Sequence, residues 1–275
     1  MHFTKMEGCG NDYIYIDGTK ESVSDKAGLS RRLSDRHFGI GSDGIIFINP
    51  SDTADFDMQM FNADGTEAEM CGNGIRCVAK FIYDKGLKRS ETLRIQTKAG
   101  IKEIRLVIRD GVVTGATVDM GVPILKCSEI PVIAPGDDPV GIEIETGGKK
   151  QKVTCVSMGN PHCVVFVEDT AAIDIEKEGP LFENNTAFPK RINTEFVHVK
   201  DRGHIDMRVW ERGSGETLAC GTGACASAVA CVLNGLTQRK IAVKLLGGIL
   251  DIEYAEKDGH VYMTGPANTV FEGDV

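Results

Sequence analysis

The stretch Glu67-Ala68-Glu69-Met70-Cys71-Gly72-Asn73-Gly74 returns 149 positions later as Glu216-Thr217-Leu218-Ala219-Cys220-Gly221-Thr222-Gly223. The same offset relates Asp57-Met58-Gln59-Met60-Phe61-Asn62 to Asp206-Met207-Arg208-Val209-Trp210-Glu211, and Gly10-Asn11 to Gly159-Asn160. Chance can supply one Cys-Gly-x-Gly pair, but an offset held across three separated segments argues for two lobes built on one plan. In each copy the cysteine precedes Gly-x-Gly and an apolar run, Ile75-Arg76-Cys77-Val78-Ala79 or Ala224-Cys225-Ala226-Ser227-Ala228, which reads as a loop opening into a helix. Each thiol is thereby expected at a helix N-terminus, and the plan brings two such ends to face one another across a cleft.

The chain of 275 residues, 41% hydrophobic, is long enough for two small domains. Its net charge of −9, from 31 basic and 40 acidic residues, gives no nucleic-acid surface, and no Lys/Arg-rich run appears. Small molecules are the expected partners. Met1 to Glu7 lacks the pattern of a signal peptide, and no apolar run approaches the roughly 20 residues of a membrane span. A cytoplasmic protein is expected. The cysteines, at 9, 71, 77, 127, 155, 163, 220, 225 and 231, are odd in number, which argues against a disulfide framework and for free thiols.

Taken in order, Phe3 to Met6 and Tyr13 to Ile16 read as strands around a turn that holds Asn11. Ser24 is a candidate cap for a helix carrying Leu29 and Leu33, with strands over Gly44 to Ile48 and Phe56 to Phe61. A helix with Ile75, Val78, Ala79 and Ile82 on one face ends at Gly86, and strands follow over Leu93–Thr97, Ile101–Ile108 and Val112–Met120. The proline-rich segment Gly121 to Pro139 is the candidate connection. Beyond it come a hairpin (Ile142–Glu145, Gln151–Val156), a strand over Cys163–Val167 and a helical segment from Thr170 to Glu183 broken by Pro180. Asn193 is read in a polar turn. Phe196–Val199 and Ile205–Trp210 form a second hairpin, and a helix ends at Asn234-Gly235, before strands over Ile241–Tyr254 and Val261–Met263. The expected lobes are 1–120, with 264–275 crossing back to it, and 121–263.

A thiol at a helix N-terminus is expected to have a lowered pKa, so Cys71 and Cys220 can each serve as base when ionised and as acid when not. Two such groups on opposite faces of one carbon invert its configuration: one removes a proton and the other supplies one. The substrate such chemistry suits is an amino acid at its α-carbon, whose carbanion spreads charge onto the carboxylate. The N–H groups at Gly72-Asn73 and Gly221-Thr222 can hold that carboxylate. No lysine stands in a phosphate-binding setting, so no cofactor is expected. No zinc spacing occurs either, so no metal is expected. Cys9, Cys77, Cys127, Cys155, Cys163, Cys225 and Cys231 are read as core residues. His162, just after Gly159-Asn160-Pro161, falls on the site side of the repeat. Glu211-Arg212 takes the repeat position of Asn62-Ala63, where the two lobes have diverged.

These residues resemble the diaminopimelate epimerases of bacterial and plant lysine biosynthesis, over essentially the whole chain. Gly10-Asn11-Asp12-Tyr13, Phe61 to Gly65, Met70 to Cys77, Gly159-Asn160-Pro161-His162, Trp210 to Gly213 and Ala219 to Gly223 carry the likeness. The resemblance implies an α/β (α+β) fold of two pseudo-symmetric lobes, each a β-barrel-like sheet around a central helix, with the site in the cleft between them. It implies Cys71 and Cys220 as the two bases, interconverting LL- and meso-diaminopimelate. It also implies Asn11, Asn62, Asn160, Asn193, Glu211 and Arg212 as substrate contacts, the backbone at Gly72-Asn73 and Gly221-Thr222 at the reacting carboxylate, and His162 and Glu211 as tuners of the cysteines. Arg212 suits the distal carboxylate, which a guanidinium reads bidentately. Gly44 departs from members with a substrate-contacting glutamine there, so it is assigned no contact. The family is often dimeric, so a homodimer is a possible assembly. The rivals are a proline or hydroxyproline racemase of the same fold, against which Asn73 and Arg212 argue, and a non-catalytic binding relative, against which the two cysteines argue.

Overall fold

The computed structural model describes residues 1–275 and contains 18 strands and four helices. In chain order these are β1 (His2–Gly8), β2 (Asn11–Asp17), α1 (Lys26–Ser34), β3 (Gly44–Asn49), β4 (Phe56–Asn62), β5 (Glu67–Ala68), α2 (Gly72–Asp84), β6 (Thr92–Thr97), β7 (Gly100–Arg109) and β8 (Val112–Asp119). They continue with β9 (Ile142–Thr146), β10 (Lys149–Ser157), β11 (Pro161–Phe166), α3 (Ile175–Glu183), β12 (Asn193–Asp201), β13 (His204–Glu211), β14 (Gly215–Glu216), α4 (Gly221–Leu233), β15 (Lys240–Leu245), β16 (Gly248–Tyr254), β17 (Val261–Pro266) and β18 (Asn268–Asp274). The chain divides into two compact units, Met1–Asp119 with Thr264–Val275, and Met120–Met263.

In the first unit the strand order is β18-β1-β2-β3-β4-β6-β7-β8, antiparallel except for the parallel pairs β2/β3 and β4/β6. In the second unit β9-β10-β11-β12-β13-β15-β16 repeats that pattern, with β11/β12 and β13/β15 parallel. The correspondence extends to register: Tyr13 pairs with Gly44, and His162 pairs with Asn193 149 positions on. Each sheet packs around one helix of 13 residues, α2 or α4.

Both helices stop in the same way. Gly86 and Gly235 take positive φ (69° and 68°), and each places its N–H on the residue three before, Tyr83 or Val232, while the following Leu87 or Leu236 reaches back to Ile82 or Cys231. On α2 the face carrying Ile75, Val78, Ala79 and Ile82 is fully buried. Arg76 is fully buried as well, because Pro266 O accepts from its Nε at 3.1 Å and Gly72 O from its Nη1 at 3.1 Å. On α4 the small residues Ala224, Ala226, Ala228 and Ala230 let the strands close around the whole cylinder.

Several local expectations need correction. Asp25, not Ser24, caps α1: its Oδ1 accepts from Gly28 N–H at 2.7 Å. The helical segment starts at Ile175 rather than Thr170 and runs through Pro180 without breaking there. Asn193 begins β12 and is buried, where a polar turn was expected. The proline-rich segment after Gly121 is no free connection, because Cys127, Ile130 and Val132 enter the second unit's core beside Ile142, Val153 and Phe182. All nine cysteines are free, and the seven read as core residues are buried. No helix is long and apolar enough to cross a membrane.

Candidate active site

In the first unit Cys71 is the N-cap of α2, with extended backbone (φ −132°, ψ 119°), and its Sγ accepts from Gly74 N–H at 3.3 Å. The thiol donates to Asn11 Oδ1 at 3.0 Å. Asn11 is held in turn, since Asp43 Oδ2 accepts from its Nδ2 at 2.6 Å and from Asp12 N–H at 3.2 Å. Arg36 spans Asp12 and Asp43 at 2.8 and 2.9 Å, and Lys5 Nζ lies 2.7 Å from Asp12. Burial opposes the charge on Asp12, but Arg36 and Lys5 outweigh it and hold the carboxyl below its usual range. Stability from that network is therefore present above the ordinary carboxylate range and is lost as pH falls through the lowered value. Ala63 N–H donates to Asp43 O at 2.9 Å, which ties the Asn62 turn to the same cluster, while Asn62 Nδ2 donates to Thr66 Oγ1 within that turn. Gly44 has no room for a side chain: a Cβ there would fall 2.0 Å from Phe61 O.

In the second unit Cys220 caps α4 with the same extended backbone (φ −118°, ψ 109°) and is buried. Its Sγ lies 3.5 Å from Thr222 Oγ1, which accepts from Asn160 Nδ2 at 3.3 Å. Asn160 Oδ1 is 3.0 Å from His162 Nε2, and His162 Nδ1 is 2.7 Å from Glu195 Oε1. Both His162 and Glu195 are fully buried. Asn193 braces the neighbouring loop, its Nδ2 donating to Pro161 O at 3.0 Å and its Oδ1 accepting from Arg212 N–H at 2.9 Å. Glu211 Oε1 accepts from Thr217 Oγ1 at 2.6 Å, and Arg212 Nη1 donates to Lys190 O at 3.0 Å.

The expected residues thus fall into two groups. Asn11, Asn62, Cys71, Gly72 and Asn73 belong to the first unit, and Asn160, His162, Asn193, Glu211, Arg212, Cys220, Gly221 and Thr222 to the second. One electrostatic expectation is corrected. The Cys220 thiol is pushed up, not down: burial raises it most and the Glu211 carboxylate adds to that, against the lowering by Thr222 and the Gly223 N–H. Replacing Glu211 by glutamine should bring the Cys220 thiol down by about one pH unit, the size of effect a nearby like charge exerts. An ultraviolet titration of the thiolate reads it, and an unchanged midpoint would remove Glu211 from that role.

Sequence reading missed Glu195, Glu183 and Asp43. Glu195 could have been found from the repeat, since its counterpart 149 positions earlier is Ile46, and a carboxyl in place of a core aliphatic marks polar machinery. Glu183, nearly buried at the end of α3, accepts from Trp210 Nε1 at 2.7 Å, Gly213 N–H at 3.0 Å and Arg191 Nη1 at 2.8 Å, beside the loop bearing Glu211 and Arg212.

The family model described as diaminopimelate epimerase matches residues 3–126 and 154–270. A diaminopimelate epimerase of Acetivibrio thermocellus is 56% identical over 275 residues, covering 100% of this chain and 98% of the relative. One from Methanococcus maripaludis is 54% identical, covering 100% and 99%. Among solved structures, a phenazine biosynthesis protein of the PhzF family from Bacillus anthracis superposes with TM-score 0.72 at 15% identity, over 100% of this chain and 98% of that one. A probable proline racemase from Agrobacterium radiobacter gives 0.70 at 14%, over 100% and 92%. At such identities these two show a shared fold alone, so the racemase reading is not favoured. With a family match across both units and relatives above half identity from end to end, the chain belongs to the diaminopimelate epimerase family of isomerases.

Proposed function

We propose that this chain interconverts LL- and meso-diaminopimelate without a cofactor, in lysine biosynthesis, with Cys71 and Cys220 as the two acid/base groups. The observation that carries the reading is the repetition of one device. In each unit a cysteine caps the start of a 13-residue helix, with Gly-x-Gly behind it and an asparagine, Asn11 or Asn160, in the hydrogen-bonding group at the sulfur. The names and full-length identity of the relatives support the substrate.

The chemistry follows from proton accounting. One sulfur, as thiolate, takes the α-hydrogen as a proton, leaving the electron pair on the α-carbon and its carboxylate. N–H groups in the first turns of α2 and α4, at Gly72-Asn73 and Gly221-Thr222, are the donors for that developing charge. The other sulfur, as thiol, gives its proton to the opposite face. The centre is inverted and the two cysteines have exchanged protonation states, so the reverse reaction uses the same residues in exchanged roles. The mechanism requires both sulfurs to reach one α-carbon. Raised by burial and by Glu211, Cys220 is suited to hold the proton it donates. Arg212 is assigned to the distal carboxylate, with Asn62, Asn160, Asn193 and Glu211 as the further substrate contacts. Nine free thiols support a reducing, cytoplasmic setting.

The test is solvent deuterium incorporation at the α-carbon of LL-diaminopimelate in D2O, with reductant and no added cofactor, read by NMR beside a proline control. Exchange with appearance of the meso isomer is expected. Exchange with proline alone would replace the substrate, and silence with both would remove the reading. Arg212→Ala is expected to raise KM for diaminopimelate about tenfold or more, the effect of losing a charge-assisted pair. An unchanged KM would place the distal carboxylate elsewhere.

A further inference from the structure

We propose that Glu195 is a positioning residue: with His162 it fixes the direction of a hydrogen-bond chain through Asn160 and Thr222 that ends in an O–H donated to Cys220 Sγ. The inference rests on the reading of Cys220 as an acid/base group and assigns a role to a residue outside the sites the family resemblance implies.

The chain is read link by link from Glu195. Its Oε2 is buried with no hydrogen-bond partner, while Oε1 meets His162 Nδ1 at 2.7 Å. An ionised carboxylate would leave a charged oxygen unsatisfied in the interior, a costly state, whereas a carboxylic acid leaves only a neutral one. The proton therefore resides on the pair with Oε1 donating to Nδ1, as burial of Glu195 also favours. His162 Nε2 faces the carbonyl oxygen of Asn160 at 3.0 Å, and two acceptors cannot meet at that distance, so Nε2 carries hydrogen and donates. That contact turns the Asn160 amide so that its NH2 points to Thr222 Oγ1. Thr222 accepts there, and its single hydrogen is free to point at Cys220 Sγ, 3.5 Å away. A sulfur that receives an O–H is favoured as thiolate.

The first unit lacks this device. Ile46 and Tyr13 stand at the repeat positions of Glu195 and His162, and Cys71 meets Asn11 Oδ1, the Gly74 N–H and the Tyr13 hydroxyl directly, with no histidine–carboxyl pair behind them. The backbone is also shaped around the carboxyl. A Cβ on Gly223 would fall 2.6 Å from Glu195 Oε1, as one on Gly74 would fall 2.8 Å from Ile46 Cδ1. The titratable groups around Cys220 are Glu211 on β13, Glu195 on β12 and His162 on β11, and the start of α4 adds its N–H groups. If Glu195 acted only as a nearby negative charge, its removal would increase the thiolate. The chain predicts the opposite sign.

The experiment is an ultraviolet thiolate titration of the ligand-free full chain, each protein differenced against its own Cys220→Ser counterpart. Glu195→Gln keeps a donor for Nδ1 and should titrate as the parent. Glu195→Ile, the residue of the first unit, should show about tenfold less Cys220 thiolate at fixed pH, in keeping with a lost hydrogen bond to a charged group. Thr222→Val should do the same, and the double variant should lose no more than either. Glu195→Ile with equal or more thiolate, or Glu195→Gln shifted as far as Glu195→Ile, would overturn the proposal. Should Glu195→Ile fail to fold, Thr222→Val decides, and a thiolate fraction unchanged there also overturns it. Epimerisation is measured in parallel. A titration shift in a chain with no turnover leaves the proposal standing and removes the epimerase reading, and turnover with no shift does the reverse.

Discussion

Cys71→Ala and Cys220→Ala are each expected to lower epimerisation of LL-diaminopimelate by about a thousandfold or more, since a positioned general acid or base contributes roughly 10² to 10⁴ and neither half-reaction has a substitute donor. The fold should survive both. Cys220 makes no side-chain cap bond, and Cys71 makes one, to Gly74 N–H, worth about 1 kcal/mol. Cys71→Ser separates the two contributions, because a hydroxyl caps the helix but is far too weak an acid to ionise near neutrality. It should restore stability and leave turnover low. Steady-state rates with a thermal melt on each variant make the check, and either alanine variant retaining a tenth of the parent rate would end the two-base mechanism. Because each cysteine serves one face of the carbon, both directions of the reaction should fall together.

Much of this arrangement is legible in the chain. The constant offset of 149 positions predicts what the coordinates display down to helix ends: α1 begins at Lys26 and α3 at Ile175, and both caps, Asp25 and Asp174, are aspartates. The cysteine loops are legible because capping, a Gly-x-Gly and an apolar run are local signals. Glu195 is legible only through its repeat partner Ile46, since the strand read from the sequence starts at Phe196 and a glutamate at its edge is ordinarily solvated, whereas tertiary packing buries this one against His162. Asn193 fails for a related reason. Asparagine favours turns, but here its amide is consumed by Pro161 and Arg212 at the mouth of a strand. The lowered thiol expected for Cys220 came from the helix end alone, and burial together with Glu211 reverses it. Between Pro123 and Pro139 the prolines mask Cys127, Ile130 and Val132, whose burial makes that segment part of the second unit.

Glu183→Ala should cost roughly 3 kcal/mol, because one carboxylate serves three donors and charged hydrogen bonds contribute more than neutral ones. Trp210 loses the partner of its Nε1–H, and its ring is pressed so closely on α3 that a Cβ on Gly179 would fall 2.4 Å away, leaving the indole little freedom to find water. For a chain of this size the melting temperature should fall by roughly 6–12 °C. Gly213 N–H, directly after Arg212, loses its anchor as well, so KM for diaminopimelate should rise while the Cys220 titration stays in place. Glu183→Gln keeps an acceptor for the indole and should recover most of the stability. That split distinguishes a brace for the Glu211-Arg212 loop from a general scaffold residue: a scaffold role lowers the melt and leaves KM untouched, whereas a brace moves both, because Trp210 and Gly213 flank the two side chains assigned to the substrate.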